Sequence, residues 1–397
     1  MFLAHDIRLV TTKAQEEYFR RACGTARFAW NWALAEWKRQ YEGGEKPSGM
    51  ALRALFNSIW REKFPWVGEV HRDCHSQPFA NLQMAFDFFF KKTTGYPKFK
   101  KRGGHDSFYL ANDQFRLDGK KVRIPRLGWI RTREALRFTG KVMGATVHRI
   151  ADAWYISVQV DVGDYHRERT GNGVTGADLG LTTLVTLSTG EKIEGPKALA
   201  KAQKHLRRLH KSMDRKQKGS ANRRKAIMRL SRAYARVTNI RSDALHKLTT
   251  RLCRENQAVG IEDLCVQGML RNHHRSRSIR DASWGEFRRM LEYKSIIYGT
   301  DLRVADRWYP SSKTCSRCGA VKESLGLGER TFVCESCGLS LDRDLNAARN
   351  LGKLPAVSRE VTPVERKALT KGRKSRRETS LDEAGTCAGE RLRSSAG

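Results

Sequence analysis

The stretch VTGADLGLTTLVTLSTGEKIEG, Val174 to Gly195, decides how this chain is read. Its short apolar runs read as consecutive strands with a turn at Ser188 to Gly190. The first strand ends on a carboxylate, Asp178, with Gly176 and Gly180 on either side of Ala177-Asp178-Leu179. An ionised carboxylate among apolar residues is costly unless a cation or several hydrogen-bond donors meet it. Two other acids share that difficulty. Glu262 lies inside the strand-like run AVGIEDL, Ala258 to Leu264, and Asp344 lies in LDRDLNAARN, Leu341 to Asn350. A helix through the latter, counted at 100° per residue, gathers Leu341, Leu345, Ala347, Ala348 and Leu351 on one broad face with Asp344 inside it. By the same count Asp342 points roughly 160° away, and it suits a helix start or a surface charge.

Strands bring distant residues together, so Asp178, Glu262 and Asp344 can converge on one site. Three carboxylates repel one another, and the common remedy is a hard divalent ion with oxygen ligands. Magnesium in pairs activates water and stabilises the leaving oxygen in phosphodiester cleavage. Each acid also admits a plainer reading: Asp178 as a turn residue, Glu262 as an edge-strand charge, Asp344 as a cap. Asp263, beside Glu262, faces the other side of its strand and is set aside.

TCSRCG and VCESCG supply Cys315, Cys318, Cys334 and Cys337, two CxxC knuckles with fifteen residues between them. Tetrahedral zinc takes four thiolates from two tight turns, and Gly319 and Gly338 let each turn fold back. Such a site has no open position, so its zinc organises a ribbon and does no hydrolysis. The other five cysteines are scattered and imply no disulfide framework.

The balance of 76 basic against 42 acidic residues leaves a net charge of +34 over 397 residues, which points to a polyanionic partner. No apolar run is long enough to span a bilayer, and the start MFLAHDIRLV carries charge where a signal peptide would be apolar, so nucleic acid is favoured over lipid and the chain is read as soluble and cytoplasmic. Thr12 opens a capping box with Gln15, ahead of a helical pattern reaching about Tyr41. A second helical pattern carries Phe79, Leu82, Phe86, Phe89 and Phe90, so the first hundred residues read as a small helical bundle with an aromatic core. TTGYPKFKKRGG, Thr93 to Gly104, interrupts it. From Phe115 short alternating strands and an Asp118-Gly119 hairpin signal suggest a small β-barrel or sheet. GNGVTG, Gly171 to Gly176, matches GxGxxG but precedes a strand and is read as a linker. Pro196 to Asn256 is a basic helical hairpin broken at KQKGS, with Leu206, Leu209 and Met213 on one face before the break. Ile227, Leu230, Tyr234, Val237, Leu245, Leu248 and Leu252 follow at near-heptad spacing. RNHHRSRSIR, Arg271 to Arg280, reads as an exposed basic loop in which His273 and His274 face solvent or phosphate.

With these residues in view, the chain resembles the TnpB family, transposon-encoded nucleases related to the type V CRISPR effectors. The resemblance runs from about His5 to Leu351 through GTARFAWNWAL, YPKFKKR, GADLGLTT, GIEDL, SWGEF, PSSKTCSRCG and CGLSLDRDLNAARN, in that order. It implies a multidomain α+β fold whose core is an RNase H-like, RuvC-type domain with a mixed sheet, and Asp178, Glu262 and Asp344 match its metal-binding acids. Residues 1–10 are then the first strand of a wedge module, 11–95 a helical recognition lobe, 96–170 the wedge β-barrel, and 171–352 the nuclease domain with a zinc ribbon at about 310–340; 353–397 form a disordered basic tail. The implied cofactors are Mg2+, as two ions, and structural Zn2+. The implied partners are a guide RNA from the chain's own transposon end and double-stranded target DNA, with no membrane and a monomer favoured. The rival readings are an RNA-guided repressor that does not cut and a strand-joining transposase. Arg343 is expected to steady a phosphate.

Overall fold

The structure, a computed structural model, describes residues 1–326 and 328–356. The chain divides into two compact units, Met1–Asp164 and from Tyr165 onward.

The first unit opens with β1 (Phe2–Val10) and a long helix, α1 (Lys13–Glu42). Thr12 caps that helix reciprocally: its Oγ1 accepts from the Gln15 amide at 3.3 Å and its own amide donates to Gln15 Oε1 at 2.9 Å. Helices α2 (Gly49–Lys63) and α3 (Asp73–Phe90) pack with α1 over a core of Ala33, Leu34, Trp37, Leu52, Phe56, Phe79, Leu82 and Phe86. Phe89 is only half-buried and Phe90 is exposed, so the apolar stripe of α3 is narrower than its run of phenylalanines suggests. The strands β2 (Ser107–Ala111), β3 (Arg116–Asp118), β4 (Lys121–Ile124), β5 (Gly128–Thr132), β6 (Lys141–Ile150) and β7 (Ala153–Asp161) join β1 in a seven-stranded sheet of order β2-β6-β7-β1-β5-β4-β3. Every neighbouring pair is antiparallel, and β1 carries two pairings: Phe2 to Arg8 lie along β7, and Leu9 and Val10 along β5. The YPKFKKR segment forms neither helix nor strand. Its backbone is latched to α1, where Asn31 exchanges hydrogen bonds with the Lys100 amide and carbonyl at 2.7 and 2.9 Å and the Trp30 indole donates to the Lys98 carbonyl at 3.0 Å.

The second unit is built on a five-stranded sheet. Its strands are β8 (Gly173–Leu179), β9 (Val185–Leu187), β10 (Lys192–Ile193), β11 (Asn256–Ile261) and, after the helices named next, β12 (Asp301–Val304). Between β10 and β11 run α4 (Ala198–Asp214) and α5 (Ala221–Glu255); between β11 and β12 run α6 (Val266–Met269), α7 (Ser276–Ala282) and α8 (Trp284–Tyr298). The spatial order is β10-β9-β8-β11-β12. The pairs β8–β11 and β11–β12 are parallel, whereas β8–β9 and β9–β10 are antiparallel. A small two-stranded ribbon, β13 (Thr331–Val333) and β14 (Ser340–Asp342), then leads into α9 (Arg343–Gly352), which packs on β8, β9 and β11.

Several expectations change. Gly173 and Gly176 belong to β8, so only the start of GNGVTG is a linker. Leu341 stands on β14, not on the final helix, which begins at Arg343. Ser276 to Arg280 of the basic loop are helical, within α7, while His273 and His274 are exposed. Ile227 and Tyr234 are 43% and 42% exposed, because α5 turns only the Leu230, Val237, Leu245, Leu248 and Leu252 side inward. The expected tail lies outside the described residues beyond 356.

Candidate nuclease site and zinc ribbon

The site begins with two glycines. Strands β8 and β11 are parallel neighbours in a register that sets Gly176 beside Gly260 and Ala177 beside Ile261. A Cβ on Gly176 would stand 1.9 Å from the Ala348 carbonyl oxygen, and one on Gly260 would stand 2.0 Å from that of Leu351. Real Cβ atoms never approach backbone so closely. The glycines are therefore the bed on which the backbone of α9 lies, and this explains their place in VTGADLG and AVGIEDL.

That bed aligns the acids. Side chains two residues apart on a strand share a face, so Asp178, two residues after Gly176, leaves β8 on the side that α9 covers, and Glu262 follows two residues after Gly260. On α9, Asp344 is one turn before Ala348 and on the same face. The helix rises about 6 Å between them, close to the roughly 6.6 Å that two strand residues span from Gly176 to Asp178. Asp344 therefore ends above the carboxyl ends of the strands. The electrostatics agree: burial first, then the charges of Glu262 and Asp344, push the Asp178 carboxyl well above its usual range, with Arg343 pulling the other way. Glu262 is the residue just after β11 and not inside it. Its Oε1 accepts from Ser311 Oγ at 2.5 Å.

The neighbouring acids do other work. Asp342 Oδ1 accepts from the Asp344 and Leu345 amides, each at 3.0 Å, as the N-cap of α9, and its Oδ2 pairs with Lys192 at 2.9 Å. Asp263 is held by Arg288, with Arg307 at 3.5 Å. Arg343 Nε lies 3.7 Å from Asp344 Oδ1.

Sequence reasoning missed Asn346 and Asn350, which are 0% and 3% exposed and one turn apart on α9. Asn346 accepts from the Ser316 amide at 2.9 Å and donates to the Thr314 carbonyl at 2.7 Å. Asn350 donates to the Ser311 and Thr314 carbonyls at 2.8 and 2.6 Å. The pair ties the segment that bears Ser311, and with it Glu262, to the helix that bears Asp344. The available signal was two amides at helical spacing among alanines, since buried amides must find partners.

The same segment enters the four-cysteine cluster. Cys315, Cys318, Cys334 and Cys337 present Sγ atoms all within 4.8 Å of one another. The two knuckles are alike: Gly319 and Gly338 have φ of 81° and 70°, and their amides bond back to the Cys315 and Cys334 carbonyls at 3.0 and 2.9 Å. Four thiolate donors on glycine-closed turns, over the small core of Phe332 and Leu339, fit tetrahedral zinc with no open position. Among the described residues this is the only such cluster whose donors come so close. Asp178, Glu262 and Asp344 do not form such a close group.

The chain is 38% identical over 359 residues to a protein of Streptomyces pristinaespiralis named RNA-guided DNA endonuclease, covering 88% of each chain. The chain belongs to the TnpB family. A second TnpB-family relative, InsQ of Escherichia coli K12, also named RNA-guided DNA endonuclease, is 32% identical over 85% of this chain and 88% of its own. Family models described as a probable transposase and as a Cas12f1-like TNB domain match residues 157–273 and 284–351. A third, described as a helix-turn-helix domain, matches residues 1–46, which here form β1 and the single helix α1. Among solved structures, the Cas12f1-sgRNA-target DNA complex aligns with a TM-score of 0.51 at 14% identity, over 86% of this chain and 83% of that one, a likeness of fold. Among the described residues no helix of this TnpB-family chain is long and apolar enough to cross a membrane.

Proposed function

We propose that this chain is a transposon-associated, RNA-guided DNA endonuclease whose phosphodiester hydrolysis takes place at Asp178, Glu262 and Asp344. The observation that carries the reading is the glycine bed, on which α9 lies against β8 and β11, and it is supported by the charges of Glu262 and Asp344 that act on Asp178. The mixed sheet, with its parallel β8, β11 and β12 and antiparallel β9 and β10, supports an RNase H-like, RuvC-type domain over 171–352. On this reading 11–95 is the recognition lobe, and 96–170 with residues 1–10 is the wedge module. The ribbon at about 310–340 holds structural zinc. A guide RNA and double-stranded DNA are the polyanions that the +34 charge serves. A groove of about 580 Å³ lined by Lys204, Arg207 and Lys211 on α4 and by Arg215 at its C-cap is one place for phosphates.

Magnesium, when bound, supplies a polarised phosphate and an activated water. The chain's own residues do the rest. Asp178, Glu262 and Asp344 provide the oxygen donors, Ser311 orients Glu262 by its hydrogen bond, and Arg343 balances the negative charge beside Asp344. The Asp342 cap and the Asn346–Asn350 clamp fix the helix and the Ser311 segment before substrate arrives. The test is Asp344→Ala in the chain with its co-purified RNA: Mg2+-dependent DNA cleavage should vanish while the RNA remains bound. Full cleavage by that variant would remove Asp344 from the site and transfer attention to Asp342.

A further inference from the structure

Trp308 is 85% exposed, more than any other large hydrophobic residue described, whereas Trp66 and Trp129, the next most exposed of the nine tryptophans, reach 41% and 47%. An indole in water adds nothing to a core, so its position needs another cause. The loop that bears it is firmly held. The Ala305 amide extends the sheet by bonding to the Ile261 carbonyl at 2.8 Å, and the Trp308 and Tyr309 amides donate to the side chain and carbonyl of Asp306 at 2.9 and 3.0 Å. The Ser311 amide donates to the Tyr309 carbonyl at 2.8 Å, and Ser311 itself is bound to Glu262 and Asn350. The preceding residue, Arg307, lies 3.5 Å from Asp263, the neighbour of Glu262. Trp308 stands three positions before Ser311, a reach of about 10 Å at most. The indole is thus displayed on a hydrogen-bonded loop whose backbone lies within about 10 Å of Ser311, the partner of Glu262, next to a cationic side chain.

We propose that Trp308 stacks on an unpaired nucleobase of the DNA strand being cut, within a nucleotide or two of the scissile phosphate, and so holds that strand in register with the three acids. A flat, exposed indole on a fixed loop is what a base of any identity can use, because every base offers a π-face. Arg307 adds attraction for the adjacent phosphate. The residue positions substrate and does no chemistry, and the proposal rests on the acid-site reading above.

The test uses the full chain carrying Asp344→Ala, so that nothing is cut, and a single-stranded oligodeoxynucleotide with 2-aminopurine scanned along it, at fixed salt. One position should be strongly quenched, and Trp308→Ala should abolish that quenching and weaken binding roughly tenfold, with Trp308→Phe intermediate and the melting temperature unchanged. An abasic site at the quenched position should cost the Trp308 protein about the same tenfold and the Trp308→Ala protein nothing. Equal affinity of Trp308→Ala and the parent with no quenched position, or equal abasic penalties in both, overturns the proposal. Undiminished cleavage by Asp178→Ala would instead sink the acid-site reading while leaving the stacking result intact.

Discussion

Replacing Gly176 by alanine tests the architecture of the site without touching any acid. The added Cβ meets the Ala348 carbonyl oxygen at 1.9 Å and the Gly352 amide nitrogen at 2.4 Å, both backbone atoms that no rotamer can move. To reach ordinary contact at 3.4 Å, α9 must lift from β8 by about 1.5 Å. Asp344 rides on that helix, so it is carried away from Asp178 and Glu262 by a comparable distance. A misplacement of about 1 Å in a reacting constellation costs on the order of 100-fold in rate. The over-packing itself costs about 1–3 kcal/mol, which a domain of this size survives. Single-turnover cleavage at saturating Mg2+ should therefore fall at least about 100-fold, with the urea midpoint modestly lowered and RNA retained. Gly285→Ala is the matched control: its Cβ meets nothing within 4 Å, it lies on α8, and cleavage should be unchanged. If Gly176→Ala cuts within a few-fold of the parent rate, the close packing of α9 is not what assembles the site.

The remaining predictions concern the supports of the site. Asn346→Ala strands the Ser316 amide in a buried position and removes a donor from the Thr314 carbonyl, so it should cost about 2–4 kcal/mol in urea melts and raise the Mg2+ concentration for half-maximal cleavage. Purified chain should carry one zinc, measured by elemental analysis, and its removal should expose the segment around Cys315 to Cys337 to protease; retained protection in metal-free protein would deny the ribbon its zinc. Lys294 is 5% exposed and donates to the His246 carbonyl and the Thr249 and Thr250 hydroxyls, each at 2.7 Å, and burial lowers its pKa to about 8 from 10.5. Between those values the unfolded chain binds the proton that the folded chain has lost, so this group makes stability rise with pH above 8, by about 3 kcal/mol. Below pH 8 the buried charge is a penalty, and Lys294→Met should remove both the penalty and the rise when its denaturant melts are compared with the parent from pH 7 to 10.

The sequence by itself determined whatever depends on residues near one another along the chain. The CxxC spacing and its glycines specify the knuckles, and Thr12 with Gln15 specifies where α1 starts, because each involves bonds closed within a few residues. The charge balance likewise belongs to composition alone. Asp178, Glu262 and Asp344 could be singled out as misplaced acids from local polarity, and the excess of Asp344 over Asp342 followed from helical angle, with Asp342 indeed the cap. The convergence proposed for them could not be read from local sequence, since it depends on β8 and β11 pairing in one register across about eighty residues and on α9 settling upon Gly176 and Gly260. For the same reason Ile227 and Tyr234 matched a heptad yet face solvent: a repeat states which residues share a stripe, and only the partner helix decides how wide a stripe is covered. Asn346 and Asn350 carried only a faint sign, two amides at helical spacing, and Trp308 carried none, because an indole gives no sign in sequence of whether it will be buried or displayed. Long-range contacts are chosen by the packing of the whole unit, and only tertiary structure decides them.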